Sequence, residues 1–314
     1  MQPTPPGAAT PAGRLRHLIQ APGILVMPGV FDGFSVRLVE AMGFEAGFVT
    51  GSGVSESRWG WPDVGLMSKA ESLDGVRALA EAAGLPLLAD ADTGYGNAVN
   101  VFHTVREFER AGVGGVMIED QTWPKRCGHM SGKDVIDAGE MVQKIHAAVD
   151  ARRDPELVIE ARTDAAGPIG IEEAIRRGRL YAEAGADLIF ADALLTEDDI
   201  RRFCQEVPAP VMVNMGFGVR RRATTPLISA RRLQQLGAAV VIYPRLLTAA
   251  ALTGMRRALE ALQGSLDADE VPDRPDLVAS FDELNGLMGL PEINELERRY
   301  GGTGPAPAGP RQPA

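Results

Sequence analysis

Short apolar runs alternate with amphipathic segments along most of the chain. The apolar runs of strand length cover residues 24–30, 46–52, 86–92, 115–120, 157–164, 188–193, 210–215 and 238–244. Each run is followed by a segment in which apolar residues recur every three to four positions, the spacing of an amphipathic helix. Strands this apolar are typical of a parallel sheet that is covered on both faces. Eight such units predict the α/β class, as a closed (β/α)8 barrel of the TIM type.

A doubly wound sheet is the alternative fold, but no strand-to-helix turn reads G-x-G-x-x-G and eight units favour closure. We expect the barrel to span residues 13–263 and a helical extension to span residues 264–301, in which residues 280–300 form two short helices. Residues 1–12 and 302–314 are rich in Pro, Gly, Ala and Thr, so we predict disordered tails.

Composition excludes some classes of partner. The chain of 314 residues has 32 Lys and Arg against 42 Asp and Glu, a net charge of −10. This charge disfavours nucleic acid and anionic membranes as main partners, because both require a basic face. No apolar run approaches the roughly 20 residues that cross a bilayer, and the N-terminus lacks the apolar core of a signal peptide. We therefore expect a cytoplasmic protein and, with two distant cysteines, no disulfide framework.

Polar residues cluster where the predicted strands end, which is where barrel enzymes place their chemistry. They are Thr50, Gly51, Ser52, Gly53, Asp90, Asp92, Glu119, Asp120, Arg162, Thr163, Asp164, Asp192, Asn214, Tyr243 and Arg245. Taken singly, Asp120 and Asp164 are interpreted as helix caps, although capping does not explain the whole set. Arg162 either binds a substrate carboxylate or bridges to Asp164. Residues 51–53, Gly-Ser-Gly, offer backbone N–H groups to an anion, or else form only a tight turn.

Three carboxylates in this set suit a metal ion. Asp90 and Asp92 lie two positions apart, so their side chains are expected on one side of a strand, with Glu119 on the next strand. Hard oxygen ligands without cysteine or histidine favour Mg²⁺, with Mn²⁺ as the alternative. The histidines at positions 17, 103, 129 and 146 show no zinc-ligand spacing.

A basic, glycine-containing segment surrounds one of the two cysteines. The stretch PKRCGHMSGK, residues 124–133, places Lys125, Arg126, His129 and Lys133 near Cys127. Neighbouring cations stabilise a thiolate and a loop can carry the thiol over the barrel mouth, which predicts a general acid or base. A solvated basic turn is the alternative. The other cysteine, Cys204, lies in a helical pattern and is interpreted as core packing.

The segment KRCGH, preceded by DADTGYGN and IEDQ and followed by ARTD, resembles the isocitrate lyase and phosphoenolpyruvate mutase superfamily. The resemblance covers residues 15–300 and is strongest to the methylisocitrate lyase, 2,3-dimethylmalate lyase and carboxyphosphonoenolpyruvate mutase branches. It implies a Mg²⁺-dependent (β/α)8 enzyme acting on a small anionic carboxylate. It also implies a homotetramer, a dimer of dimers, in which the last helix is often exchanged between subunits.

The resemblance also implies roles for individual residues. It makes Asp90, Asp92 and Glu119 the metal site. It assigns catalysis to Cys127, Glu119, Arg162 and His129, and substrate binding to Thr50, Gly51, Ser52, Asp63, Lys125, Arg126, Gly128 and Asn214. Asp192 and Arg245 are further candidate substrate-binding residues, at positions where the sequence departs from the superfamily pattern. In this scheme Cys127 protonates the carbanion that C–C cleavage leaves, and Asp63 helps to close the site.

The implied reaction is cleavage of a 2-hydroxy di- or tricarboxylate to a 2-oxo acid and a carboxylate. A phosphonomutase, an oxaloacetate-type decarboxylase and a non-catalytic binding barrel are the alternatives. The sequence departs from the superfamily pattern in three places: Asp192 replaces a usual Glu, Arg220–Arg222 follow strand seven, and Arg245 replaces a hydrophobic residue. The added arginines lead to the hypothesis of a substrate with an extra anionic group, against the alternative of a solvated loop.

Overall fold

The structure is a computed structural model that describes residues 10–127, 132–216 and 225–301. The chain divides into two compact units, the first ending at Arg256 and the second beginning at Arg257. The first unit contains all eight strands found among the described residues, and it therefore holds the candidate site.

The strands of the first unit are parallel and close on themselves. Each strand pairs with its neighbours in chain order and the last pairs with the first. The predicted (β/α)8 barrel is therefore confirmed. The strands are β1 Leu25–Val30, β2 Gly47–Val49, β3 Leu87–Asp90, β4 Gly115–Glu119, β5 Val158–Thr163, β6 Leu188–Ala191, β7 Val211–Asn214 and β8 Val240–Tyr243.

Helices follow the strands and begin at side chains that cap them. Reciprocal caps join Asp32 to Ser35 and Ser68 to Glu71, which satisfies backbone N–H groups at two helix starts. The helices are α1 Pro11–Gln20, α2 Gly33–Ala41, α3 Gly51–Val54, α4 Lys69–Ala82, α5 Ala98–Arg110, α6 Ala138–Ala151, α7 Ile171–Glu183, α8 Glu197–Glu206, α9 Ala230–Leu236, α10 Leu246–Gly264, α11 Phe281–Leu287 and α12 Leu290–Tyr300, and a π-helical turn, Ser55–Trp59, follows α3.

The first helix starts inside the segment predicted to be a tail. Thr10 accepts a hydrogen bond from the Gly13 amide and a proline occupies the first helical position, so α1 begins at Pro11. Leu15 and Ile19 of α1 are buried against the interior cluster of the barrel. The prediction that the disordered tail includes residues 11 and 12 is therefore wrong. The rest of the predicted tails, residues 1–9 and 302–314, lies outside the described residues.

Two apolar layers surround the sheet, and β5 shows how its side chains divide between them. Val158 belongs to the cluster inside the barrel, whereas Ile159 and Ala161 belong to the cluster between strands and helices. Because side chains alternate along a strand, Glu160 and Arg162 point inward with Val158. The interior of the barrel therefore contains charged residues as well as apolar ones.

The second unit contains α11 and α12, the two short helices that the sequence predicted. Helix α10 crosses the division between the units and ends at Gly264, where the sequence placed the start of the extension. Among the described residues, no helix combines the length and apolarity needed to span a bilayer.

Candidate active site

A cavity at the carboxyl ends of the strands brings together ten of the predicted site residues. Its lining comprises Phe48, Thr50, Ser52, Asp63, Asp90, Lys125, Arg126, Cys127, Arg162, Phe190, Asn214, Ile242, Pro244 and Arg245. Four further predicted residues contact this lining: Gly51 contacts Asp90, Asp92 contacts Lys125, and Glu119 and Asp192 contact Arg162. Gly128, His129 and Arg220–Arg222 lie outside the described residues.

Asp90 and Asp92 meet in a different way from the one expected. Strand β3 ends at Asp90, and Asp92 lies beyond it with a φ of 48°, in the left-handed region. The Asp92 amide donates to Asp90 Oδ1 at 2.9 Å, so a tight turn and not strand alternation brings the two carboxylates together. The backbone amide of Gly51 donates to Asp90 Oδ2 at 3.3 Å. A Cβ at position 51 would lie 2.9 Å from that oxygen, so a side chain there would displace the Asp90 carboxylate.

The electrostatics of these carboxylates fit a divalent cation. Burial and the adjacent Asp92 raise the pKa of Asp90 to about 6. Burial also raises the pKa of Glu119 well above its ordinary value, and the buried Glu119 Oε1 has no hydrogen-bond partner. No three Asp, Glu, His or Cys side chains of the described residues converge as a complete metal cage. Mg²⁺ needs only one or two protein carboxylates besides water and substrate, so this donor set fits it.

Lys125 joins the metal-site candidates to the segment after β2. Its ammonium group forms ion pairs with Asp63 and, at 2.8 Å, with Asp92 Oδ1. Burial opposes the charge on Lys125, but Asp92 and Asp63 outweigh it and raise its pKa. Burial likewise acts to raise the pKa of Asp63, yet Lys125 outweighs it and the pKa is lowered. Both groups are therefore charged at neutral pH.

Gln121, which was not predicted from the sequence, hydrogen-bonds to the segment that carries Cys127, residues 124–127, here called the cysteine segment. Its Oε1 accepts from the Arg126 amide at 2.8 Å, and its Nε2 donates to the Arg126 carbonyl at 2.9 Å. One side chain thus satisfies both backbone groups of the residue before Cys127. Gln121 was visible only as the last letter of the IEDQ motif.

Arg162 is surrounded by carboxylates. It donates two hydrogen bonds to Asp164, at 2.8 and 2.9 Å, and lies 3.4 Å from both Glu119 and Asp192. The second missed residue, Lys133, contacts Asp164 at 2.7 Å and Asp192 at 2.9 Å. Asp164 is therefore the partner of two cations, and its interpretation as a helix cap is wrong.

Asp120 is also not a helix cap. Its carboxylate accepts hydrogen bonds from the Thr163 hydroxyl, the Asp164 amide, Arg177 and the Tyr181 hydroxyl. Helix α6, the next along the chain, is capped by Asp137 instead. Asp120 therefore ties α7 to the ends of β4 and β5 and fixes the backbone next to Arg162.

Asn214 and Glu160, like Glu119, have buried oxygens without hydrogen-bond partners. Asn214 is the last residue of β7 and lines the cavity, and its buried oxygen is Oδ1. Both carboxylate oxygens of the fully buried Glu160 also lack hydrogen-bond partners, and burial raises its pKa well above the ordinary value. Glu160 was missed, although an acid in the middle of the apolar run LVIEA, residues 157–161, was a usable signal.

The two cysteines lie in contrasting surroundings, and neither is in a disulfide. Cys127 Sγ lines the cavity and lies 3.5 Å from Arg245 Nη2, and Arg245 also pairs with Glu56. Cys204 packs against the core, and burial raises its pKa to about 12. The interpretation of Cys204 as core packing is confirmed.

A closed (β/α)8 barrel with carboxylates, cations and a thiol around one cavity at its carboxyl end defines the class of an α/β-barrel enzyme. Residues 15–263 match the phosphoenolpyruvate phosphomutase family, and the chain belongs to that family. Its predicted membership of the isocitrate lyase and phosphoenolpyruvate mutase superfamily is confirmed.

Individual relatives agree with this assignment. The chain is 42% identical over 289 residues to 2,3-dimethylmalate lyase of Eubacterium barkeri, covering 92% of this chain and 98% of that protein. It is 41% identical over 253 residues to 2-methylisocitrate lyase of Bacillus subtilis (strain 168), covering 80% and 79%. It is also similar to a solved structure of oxaloacetate acetylhydrolase with the inhibitor 3,3-difluorooxalacetate, with a TM-score of 0.86, 32% identity, and coverage of 94% of this chain and 98% of that one.

Proposed function

We propose that this protein is a Mg²⁺-dependent carbon–carbon lyase that cleaves a 2-hydroxy di- or tricarboxylate to a 2-oxo acid and a carboxylate, with Cys127 as the general acid. The observation that carries the proposal is the position of the Cys127 thiol in the same cavity as Asp90 and Arg162. A proton donor, carboxylates that suit a metal ion and a cation for the substrate carboxylate are three of the parts that this reaction needs, besides a base for the 2-hydroxyl proton. The lyase activities named for the relatives from Eubacterium barkeri and Bacillus subtilis support it.

The end of β2 supplies groups that bind the 2-oxo acid half of the substrate. The hydroxyls of Thr50 and Ser52 lie 2.8 Å apart and both line the cavity. Arg162 supplies a cation whose orientation is fixed by Asp164. These groups hold the carboxylate next to the bond that breaks, which lowers the entropic part of the barrier.

The candidate metal ligands adjoin these groups, because Asp90 accepts a hydrogen bond from the Gly51 amide and Glu119 lies 3.4 Å from Arg162. Asp90, Asp92 and Glu119 would hold Mg²⁺, or Mn²⁺ in its place, directly or through water. When bound, the ion supplies a Lewis acid that stabilises the oxygen of the emerging 2-oxo acid. Lys125 orients the Asp92 carboxylate, because its ammonium group contacts that residue at 2.8 Å.

Cys127 completes the reaction on the other half of the substrate. A base of the site accepts the proton of the 2-hydroxyl group, and the C2–O bond becomes the carbonyl of the 2-oxo acid. The C2–C3 bond breaks in this step, and its electron pair remains on C3, where the attached carboxylate delocalises it. The Sγ–H group of Cys127 then donates its proton to C3, and the product leaves as a simple carboxylate. General acid catalysis of this kind contributes typically 10²–10⁴-fold to the rate.

Two other reactions remain alternatives. Family membership itself is compatible with a phosphonomutase, and a decarboxylase would use the same metal and carboxylate-binding groups. A phosphonomutase does not protonate a carbon. A decarboxylase leaves an enolate that water can protonate, whereas the less stable carbanion of the lyase reaction gains more from a placed acid, so Cys127 favours the lyase.

The test is to incubate the purified protein with Mg²⁺ and a panel of acids, and to measure 2-oxo acid release. The panel contains 2-methylisocitrate, 2,3-dimethylmalate, isocitrate, oxaloacetate and a phosphonate. Release from a 2-hydroxy acid that is lost with EDTA and restored by Mg²⁺ supports the proposal. Release only from oxaloacetate, or turnover only of the phosphonate, would replace the lyase with one of the alternatives.

We also propose a cytoplasmic homotetramer. Leu252, Met255, Leu259 and Leu262 recur at helical spacing along α10 and are all more than half exposed. An exposed apolar stripe of this kind is typical of an interface, which supports the helix exchange implied by the resemblance. Light scattering after gel filtration should give four times the 33.4 kDa chain mass, and a monomer would contradict it.

A further inference from the structure

Arg245 follows β8 and lines the cavity, and a close approach of the backbone at Gly29 and Pro244 allows this position. Pro244 precedes it and passes so close to β1 that a Cβ at Gly29 would lie 2.4 Å from the Pro244 carbonyl oxygen. The absence of a side chain at Gly29 therefore allows the turn that brings Arg245 to the barrel mouth. Only 22% of the Arg245 side chain is exposed.

Arg245 differs from the other buried cations of the site in how its charge is balanced. Arg162 contacts Asp164, Glu119 and Asp192, and Lys125 contacts Asp63 and Asp92. Within the part of the chain that the structure describes, the ion pairs of Arg245 involve one carboxylate, that of Glu56, whose side chain is 32% exposed. Arg245 is therefore the cavity cation whose carboxylate partner a ligand can displace most easily.

The second contact of Arg245 fixes where such a ligand would bind. Arg245 Nη2 lies 3.5 Å from Cys127 Sγ. A carbon atom that receives a proton from Sγ must lie next to that sulfur. A carboxylate attached to the same carbon can turn its oxygens toward the guanidinium group, where a charged hydrogen bond is about 2.7–2.9 Å long.

We propose that Arg245 binds the carboxylate on the carbon that Cys127 protonates, and so selects substrates whose leaving fragment bears that carboxylate. The inference rests on the lyase proposed above and assigns Arg245 to its second product. As the C–C bond breaks, negative charge moves onto this carboxylate, and a guanidinium group already in place stabilises it in the transition state. Glu56 holds Arg245 in position before the substrate arrives.

Two alkylating reagents test this placement without turnover or metal. In iodoacetate the carbon that sulfur attacks carries a carboxylate, and in iodoacetamide it carries a neutral amide. In both reactions an S–C bond forms and iodide leaves with the electrons of the C–I bond. The Cys204→Ala background leaves Cys127 as the one thiol of the chain. The ratio of the two rates cancels the thiolate fraction, because both reagents react with the same thiolate.

We expect the iodoacetate-to-iodoacetamide rate ratio of Cys127 to exceed that of N-acetylcysteine at least tenfold. Arg245→Gln should return the ratio to that of N-acetylcysteine, whereas Arg245→Lys should retain part of the preference because the charge remains. Arg126→Gln is the matched control, since it removes a cation from the same cavity, and it should lower the ratio less than threefold.

A ratio no higher than that of N-acetylcysteine would overturn the inference, as would an Arg245→Gln ratio equal to that of the parent. If Arg245→Gln fails to fold, as judged by near-UV circular dichroism, the Arg245→Lys and Arg126→Gln ratios decide. If the rate ratio falls equally in these two variants, the preference for iodoacetate comes from the overall positive charge of the cavity and not from a carboxylate site at Arg245. If no acid of the panel is cleaved but the rate ratio stays high, the proposed lyase reaction is wrong and the carboxylate site at Arg245 stands. Failure of the lyase proposal can therefore be distinguished from failure of the Arg245 proposal.

Discussion

The backbone amide of Cys127 donates a hydrogen bond to the carbonyl oxygen of Asp63 at 3.1 Å. The side chain of Asp63 also pairs with Lys125, two residues before the thiol. The segment after β2 therefore holds the cysteine segment through one backbone and one side-chain contact. Because the position of Sγ determines which carbon it can protonate, these contacts bear directly on the proposed reaction.

Asp63→Ala tests this connection. It removes the ion pair to Lys125 while Asp92 still neutralises the ammonium group. We expect kcat to fall about 10²-fold, since small displacements of a reacting group cost that much, and amide exchange across residues 124–127 to accelerate. Asp150→Ala, an exposed acid on α6, is the control. Unchanged exchange together with unchanged kcat would show that Asp63 does not position the thiol.

Gln121→Leu should loosen the same segment from the other side. Leucine keeps much of the volume but removes both hydrogen bonds to the Arg126 backbone. We expect about a tenfold loss of kcat with little change in KM, because within the described residues Gln121 forms no hydrogen bond to Thr50, Ser52 or Arg162, which bind the 2-oxo acid half in the proposal. The exposed Gln143→Leu on α6 serves as the matched control. A loss confined to KM would instead assign Gln121 to substrate binding.

Glu160→Gln should make the protein's stability depend less on pH. Burial raises the pKa of Glu160 in the folded protein above the ordinary value of 4.5. The unfolded chain therefore loses this proton at lower pH than the folded protein, so the wild type loses stability as pH rises from about 4.5 to the raised pKa. Glutamine stays neutral in both states and removes this loss.

The free energy of unfolding from urea titrations measures this effect. We expect the difference between Glu160→Gln and wild type to grow in favour of the variant by up to about 1.4 kcal/mol per pH unit between pH 5 and 6.5. Glu183→Gln, at an exposed position of α7, should show no such slope. A constant difference for Glu160→Gln across this range would mean that Glu160 is ionised in the folded protein.

Metal binding can be tested independently of turnover by calorimetry with Mg²⁺. Asp90→Asn should weaken binding about 10–100-fold, the usual range for residues that support a metal site, while Asp150→Asn should leave it unchanged. Glu119→Gln should also weaken Mg²⁺ binding. It replaces a buried carboxylate, whose Oε1 has no hydrogen-bond partner, with a neutral amide. Equal affinity in wild type and Asp90→Asn would place the ion elsewhere.

The sequence predicts the barrel because strand burial and helical spacing are local patterns, and the ring of polar strand ends follows from the fold. Pairings between distant side chains do not follow in this way. The local sequence around Asp120 and Asp164 is typical of helix caps. In the structure Asp120 pairs with Arg177, 57 residues away. Asp164 pairs with Lys133, 31 residues away. A capping residue and a buried ion-pair partner have the same local sequence, so only the three-dimensional structure separates them.

Glu160 and Asp92 show two other limits. Glu160 lies in a run that is otherwise apolar, and alternation assigns its direction, but nothing local shows that its oxygens lack partners. The spacing of Asp90 and Asp92 predicted that Asp92 lies on the strand, whereas it lies in a turn beyond the strand and has a positive φ. In both cases the chemistry depends on backbone and packing details beyond the reach of periodicity.

The central claim is that Cys127 supplies the proton to the carbon released by C–C cleavage. The most direct measurement is the reaction in D₂O with Mg²⁺ and the substrate identified from the panel, followed by NMR of the carboxylate product. Wild type and Cys204→Ala should give product with one deuterium at the cleaved carbon, and Cys127→Ala should form it at least 10²-fold more slowly. Wild-type rates in Cys127→Ala would contradict the assignment.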